Sequence, residues 1–488
     1  MKIKDIVKLI QSAIEIYEKN YDYWGVDFLF NQIQTKDFQK LELDSIFNLI
    51  YVYNRYKFSR PLIEGETKKI RIIPKMKTSE SNNFLIYEEI SKIPWFNDIR
   101  ELELYKKITE IIKTKYQKNV YEIFSEIEEE KNEFLDLTKL NPLDGLIMNI
   151  FLKKSDNSLN DELVIEYSEI FKEEINQLPT EYILFFSLAG LYIANDPINI
   201  SDNIIIKLRE DEDIAVLEEF AALRTETEIP LSSPLLKVKT KVKNQFELNE
   251  LEYHIFTALR LFKLGTIYHR NRISFEKTAL KTQSINIENL AFRDFFIKYR
   301  IKKGEEEIFI GFVSTLLKIF ENHKEEDKNR PIFLSIERFN WALFENVSID
   351  RRILFTIMGL EPLFTMQNER SGQAYKLSVR IAKLLSFYGF NPNETRDIIQ
   401  EAYNFRNRVT HGSNYKPNWE KRMVILLPKI LNYLRISIIT FLFNIKLGKD
   451  KLVKLIDDSI INSDENQNLE KHLEKNSKQY DITIHEID

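Results

Sequence analysis

The chain has 488 residues and a formal net charge of −5; 43% of residues are hydrophobic, which excludes a disordered or low-complexity chain. Cysteine is absent, and with it go disulfide frameworks, zinc fingers, iron–sulfur clusters and thiol nucleophiles. Only 12 glycines and 13 prolines accompany 34 phenylalanines and 22 tyrosines, so the expected fold is mainly α and multi-domain, with minor β segments.

Residues 1–20 read as an amphipathic helix charged along its whole length, unlike a secretory leader. Helical patterning continues to about residue 60. A break follows, with a short strand expected over 69–73. Helical spacing resumes at Phe84 and runs to Ala194, interrupted at 141–145 and at 153–161. The longest uncharged apolar stretch, 182–195, falls below the ~18–20 residues that span a bilayer, so a cytoplasmic protein without membrane association is expected. Boundaries are marked near residue 200 and over 227–237, where Pro230 and Pro234 flank a serine pair. Further helices are expected beyond Leu248, with a β segment over 266–275. The expected organisation is a helical sensor or regulator over 1–200, a linking region over 201–330, a helical bundle over 331–450 and a mobile polar tail over 451–488.

Charge is unevenly distributed. Residues 351–450 hold 16 Lys/Arg against 7 Asp/Glu, and all six histidines lie beyond residue 250. That concentration suits a phosphate-bearing partner, although compositional drift between domains would look the same. The helix beginning after Asn391 is the best punctuated in the chain. Gly389 ends the helix before it, Asn391 suits the N-cap, Pro392 the first position, and Glu394 a capping box. Gly412 suits its far end. The final long helix, 419–445, carries Pro428 and is expected to kink there.

The glycines are scattered, with no two within five residues. That spacing excludes GxGxxG, phosphate-loop and nucleophile-elbow motifs, and no HExxH occurs. A Glu66-x-Lys68 pair is too common a pattern to indicate a nuclease. Of the six histidines only His411 has an arginine five residues before it, Arg406, and the run Arg406-Asn407-Arg408-Val409-Thr410-His411-Gly412 closes the capped helix. Asn407 and His411 are four apart and share a face, so the amide could orient the imidazole. Arg406 lies about 140° round the helix from His411. A plain arginine near a helix C-terminus, with a histidine favoured by the dipole, would fit the same residues.

His269, Arg270 and Arg272 form a basic cluster that could touch RNA or sit in a solvated turn. Lys421, Arg422 and Lys429 could line a cleft or a solvated helix face. His254, Trp341 and Phe344 read as structural.

With these residues in view, the C-terminal part, about 248–445, resembles the HEPN superfamily of helical ribonucleases, specifically its ApeA-like branch in bacterial anti-phage defence. The similarity runs through residues 338–364 with Leu360-Glu361, 376–387 with Arg380, and 403–412. The resemblance implies that Arg406 and His411 are the catalytic pair, with Asn407 as the polar residue after the arginine and Glu361 as a supporting acid. It assigns no role to Arg408. It further implies RNA cleavage without metal or cofactor in a homodimer joined through the C-terminal domain, released by a phage-derived trigger in an abortive response. RNA carries its own nucleophile, the 2′-hydroxyl, so a proton carrier and a cation suffice. One imidazole per copy of the motif suggests that two copies share a phosphate, with Ile425, Leu426, Leu431, Leu434, Ile438 and Phe441 available as interface. The competing expectation is a non-catalytic helical module that binds RNA or a protein.

Overall fold

The computed structural model describes residues 1–21, 96–116, 141–155, 159–208, 234–243, 245–277, 279, 285–289, 299–323, 327–344, 347–366, 369, 372–410 and 419–477. The expected strand over 69–73, the whole of the helical stretch over 22–60, and His411 with Gly412 lie outside them.

Five helices form an N-terminal body: α1 (Ile3–Tyr21), α2 (Phe96–Glu101), α3 (Glu103–Lys115), α4 (Pro142–Ser155) and α5 (Asp161–Ile175). The buried stripe of α1 is Ile6, Leu9, Ile10, Ala13 and Tyr17, the three-and-four spacing of an amphipathic helix. The run 141–145, expected to break a helix, opens one instead. The Asn141 side chain accepts from the Leu143 N–H at 3.1 Å, and Pro142 takes the first helical position. Behind it Asp144 is buried, receiving Arg100 Nη2 at 2.7 Å and the Tyr105 hydroxyl at 2.5 Å.

The helical expectation fails at 180–194. The segment forms β1 (Thr180–Ala189) and β2 (Leu191–Ile193), followed by β3 (Ile198–Ser201), β4 (Ile204–Lys207) and β5 (Leu235–Val242). A short apolar run with buried Leu184, Phe186 and Leu188 has no periodicity that separates strand from helix; pairing on both edges decides it. Next come α6 (Gln245–Phe262), β6 (Tyr268–Lys277), close to the expected β segment, β7 (Ile285–Asn289), β8 (Tyr299–Ile301) and α7 (Glu306–His323). The antiparallel sheet runs β3-β4-β5-β1-β6-β7, and β2 pairs in parallel with β8. Gly190 turns β1 into β2 at φ +85°, where a Cβ would stand 2.7 Å from the Thr266 carbonyl oxygen.

The C-terminal bundle comprises α8 (Arg330–Phe344), α9 (Ile349–Phe364), α10 (Gln373–Ser386), α11 (Pro392–Thr410), α12 (Trp419–Phe443), α13 (Lys449–Ile461) and α14 (Ser463–Ser477). The fold is mainly α, as composition indicates. Helix α12 has the length and apolarity of a membrane span, but 78% of its apolar window is buried by its neighbours, as in a core helix. That burial removes most of the expected dimer surface: Leu426, Leu431, Leu434, Ile438 and Phe441 fill the bundle's own core, and only Ile425 is exposed.

Two further expectations are corrected. The polar tail is not free of anchors, because Leu452, Val453, Ile456, Leu469 and Leu473 bury α13 and α14 against the bundle. Nor is 201–330 a linker. Its strands share the sheet with β1, and one hydrophobic core continues from Leu184 through the sheet and α6 to Leu473. The guanidinium of buried Arg435 on α12 joins the two parts, donating through Nη1 to the last carbonyls of α6, Leu261 at 2.8 Å and Phe262 at 2.9 Å.

Candidate active site

Helix α11 is positioned by the cap its sequence specifies. The Asn391 side chain accepts from the N–H groups of Asn393 (3.0 Å) and Glu394 (3.1 Å), with Pro392 first in the helix. Glu394 does not turn back to close a capping box; it receives Lys429 Nζ at 2.8 Å. Ile398, Ile399, Ala402 and Phe405 bury one face, so the register of the last turns is fixed and Arg406 emerges beside α9.

There Arg406 meets Glu361. Its Nη2 lies 3.3 and 3.4 Å from the two carboxylate oxygens, and Nη1 donates to Asn407 Oδ1 at 3.1 Å. The guanidinium stands 5.5 Å from the centroid of the Tyr403 ring, one turn back on α11. Both charged side chains keep about a quarter of their surface open, 26% for Arg406 and 23% for Glu361. The Arg406 Nε is buried and has no acceptor among the described residues. The Tyr403 hydroxyl lies near the Glu361 carboxylate. Burial pushes the Glu361 carboxyl above its ordinary value, against the opposing pull of Arg406 and the Tyr403 hydroxyl. Burial, then the neighbouring carboxylate, raises Tyr403, so its hydroxyl keeps its proton.

Asn407 therefore serves the arginine, through the one side-chain oxygen it could have offered elsewhere. Arg408 gains a placement that the sequence did not provide. Its guanidinium lies 4.4 Å from the Trp419 ring centroid, and Trp419 packs edge-on against Phe405 at 5.0 Å. Arg422 adds two bonds to Glu401, at 2.7 and 2.6 Å. These contacts hold the start of α12 against the end of α11, on either side of residues 411–418.

The remaining sites expected from sequence lie elsewhere. His269 and Arg272 are buried, not RNA-facing. His269 Nε2 and Arg272 Nε stand 3.0 and 3.1 Å from the Glu252 carboxylate on α6, and the imidazole sits between Phe186 and Phe256. A bulge in β6 at residue 270 brings these two side chains, three apart, to the same inward face, which a basic count cannot reveal. The Arg270 side chain lies outside the described residues. Lys421 is exposed, and Arg422 is half exposed but engaged.

Tyr403 is the residue that sequence reasoning overlooked. Its signal was position: three residues before Arg406, it shares that residue's helix face. No family model, curated protein or solved structure matches the chain.

Proposed function

We propose that the protein is a metal-independent endoribonuclease of the HEPN type, acting in the cytoplasm in anti-phage defence. Arg406 holds the scissile phosphate, Asn407 fixes Arg406, and His411 moves a proton. One observation carries the reading: a half-open arginine at the end of a capped helix, braced by Asn407 and Glu361, with its Nε unengaged among the described residues. An arginine whose Nη groups are braced while about a quarter of its side chain stays open is preorganised to meet a phosphate oxygen. The 2′-hydroxyl attacks phosphorus, giving a 2′,3′-cyclic phosphate and a free 5′-hydroxyl, and DNA is spared because it lacks the nucleophile. The N-terminal body is assigned the sensing of a phage-derived trigger, and a second copy is assigned to the C-terminal domain, where Val424 and Ile425 are exposed on α12.

The test is RNA cleavage by purified protein in excess EDTA. Wild type is expected to leave cyclic phosphate ends, and His411→Ala is expected to lose cleavage while melting as wild type does. RNA binding by that variant should weaken steeply with salt. Cutting by His411→Ala at the wild-type rate would remove the motif from the mechanism. Absence of cleavage together with a salt-insensitive interaction would favour the non-catalytic module.

A further inference from the structure

The described residues hold two hydrophobic cores that meet at one point. The core of the N-terminal body is built by α1 to α5, and among the described residues only Ala279, two positions after β6 ends, enters it from the rest of the chain. The other core runs without a break from Leu184 to Leu473. None of the N-terminal helices shares an extensive contact with a strand of the sheet or a helix of the bundle among the described residues.

At Ala279 the seam is made by side chains that hold a backbone. The methyl group is fully buried. The Ala279 N–H donates to Glu174 Oε2 on α5 at 2.9 Å, and its carbonyl accepts from Asn149 Nδ2 on α4 at 2.9 Å. Asn149 is itself buried. Beside this clamp the seam is polar. A cleft between α5 and the strands β1 and β5 is lined by Glu166, Glu169, Glu173, Glu181 and Lys241. Across it Lys241 Nζ stands 3.9 Å from Glu173, and both side chains are about half exposed, so the pair contributes little. The covalent link is equally slight. Residues 176–179 join α5 to β1, and Gln177 holds φ +54°, a left-handed conformation that a side chain disfavours. The N–H groups of Gln177 and Leu178 return to the carbonyls of Glu174 and Glu173, at 2.9 and 3.0 Å, and so close α5 without bonding to the sheet.

We propose that the N-terminal body is a detachable unit: the clamp of Asn149 and Glu174 on Ala279 latches it to the sheet, and it lifts away about residues 176–179 with both cores intact. The physical reason is what opening exposes. The two hydrogen bonds of the clamp are exchanged for bonds to water at small net cost, and one methyl group is uncovered. Separating the sheet from the bundle would instead open the continuous core and strip buried Arg435 of the α6 carbonyls it serves. A unit with its own core, joined through a small polar seam, moves relative to its neighbour by default. The clamp also sits where movement is passed on. The strand β6 that leads to Ala279 carries His269 and Arg272, which hold Glu252 of α6 inside the core shared with the bundle. The latch operates whether or not the protein cuts RNA.

The chain has no cysteine, so two introduced ones are its only thiol labels. Lys4→Cys on α1 and Lys318→Cys on α7, both at exposed positions, carry a donor and an acceptor dye for single-molecule energy transfer. Asn149→Leu roughly keeps the side-chain volume and leaves the Ala279 carbonyl without this donor only while the latch is closed. It is expected to raise the ratio of open to closed molecules about tenfold, and combined with Glu174→Ala about a hundredfold. Glu174→Ala alone, at a half-buried position, should give about tenfold without any change to the buried core. Glu174→Gln retains an oxygen that accepts the Ala279 N–H and should match wild type. The far-ultraviolet circular dichroism of Glu174→Ala should also match wild type, because both cores stay folded. An energy-transfer distribution left unchanged by the double variant would overturn the latch. Loss of helical signal in step with opening in Glu174→Ala would overturn the detachable unit, since the body would then be unfolding and not lifting.

Discussion

Arg352, Arg380 and Arg435 belong to the basic segment that first suggested a phosphate-bearing partner, yet all three are spent inside the fold. Arg352 donates through Nη1 to the carbonyls of Ala342 and Leu343 at the end of α8. Arg435 does the same for α6, and burial pulls its guanidinium down to about 10. Arg380 holds Glu369 and Asp457 and donates to the Phe364 carbonyl, so one side chain ties α9, α10 and α13 together. Net charge was legible in the sequence; which charges face outward was not, because a count carries no burial. The Arg380 cluster has a pH signature. Its hydrogen bonds, ahead of the opposing effect of burial, draw Glu369 from 4.5 down to about 2. A carboxyl depressed in the folded state stabilises the fold above its unfolded value and loses that contribution as pH falls towards 2. Glu369→Gln should therefore melt below wild type at neutral pH, with a gap that closes as pH falls from 4.5 towards 2. A gap constant across that range would show that the ion pair contributes nothing. Losing one partner of a largely buried pair costs about 3–5 kcal/mol, which sets the upper scale of the gap at pH 7.

At the scale of elements, local punctuation was readable and long-range pairing was not. Asn391, Pro392 and Gly389 mark the boundary of α11 because caps and turns are decided by neighbouring residues. The strands β1, β4 and β5 escaped because an apolar run becomes a strand only when another strand pairs with it, and β1 finds its nearest partner residue 48 positions away, at Leu235 opposite Ser187. Helix α14 escaped for the opposite reason: two leucines, Leu469 and Leu473, suffice to seat an otherwise polar helix on a large bundle. Gly359 on α9 is a position where helix propensity and packing conflict. Alanine there would gain about 1 kcal/mol of intrinsic helix propensity. The added Cβ, however, would lie 2.8 Å from Leu434 Cδ2 and 3.2 Å from Arg338 Cβ, because α8, α9 and α12 meet at that point. Overpacking of that kind costs about 1–3 kcal/mol. Gly359→Ala should accordingly lower the midpoint of denaturant unfolding, whereas a raised midpoint would mean that the helices part without cost.

For the whole molecule, the placement of the proton carriers decides whether a second copy is needed for chemistry or only for assembly. The sequence supported a shared cleft on two grounds: a single imidazole per copy of the motif, and an apolar α12 available for pairing. Five of the six residues in that apolar set turn out to be the core of their own subunit, and α12 leaves Val424 and Ile425 as its large exposed hydrophobics. Meanwhile Glu361 and Arg406, brought together from α9 and α11 of one chain, form their ion pair without help from a partner. If each subunit holds its own Arg406, Glu361 and His411 around one phosphate, a mixed dimer of wild-type and His411→Ala chains should retain about half the wild-type dimer's rate. The same arrangement predicts that Glu361→Gln and His411→Ala placed on opposite chains will not complement each other, since neither chain is complete. A shared cleft predicts the reverse on both counts: the mixed dimer falls well below half, and the two variants restore activity when combined. Tandem affinity purification of differently tagged chains, followed by cleavage assays above the dissociation concentration measured by sedimentation, separates the two cases.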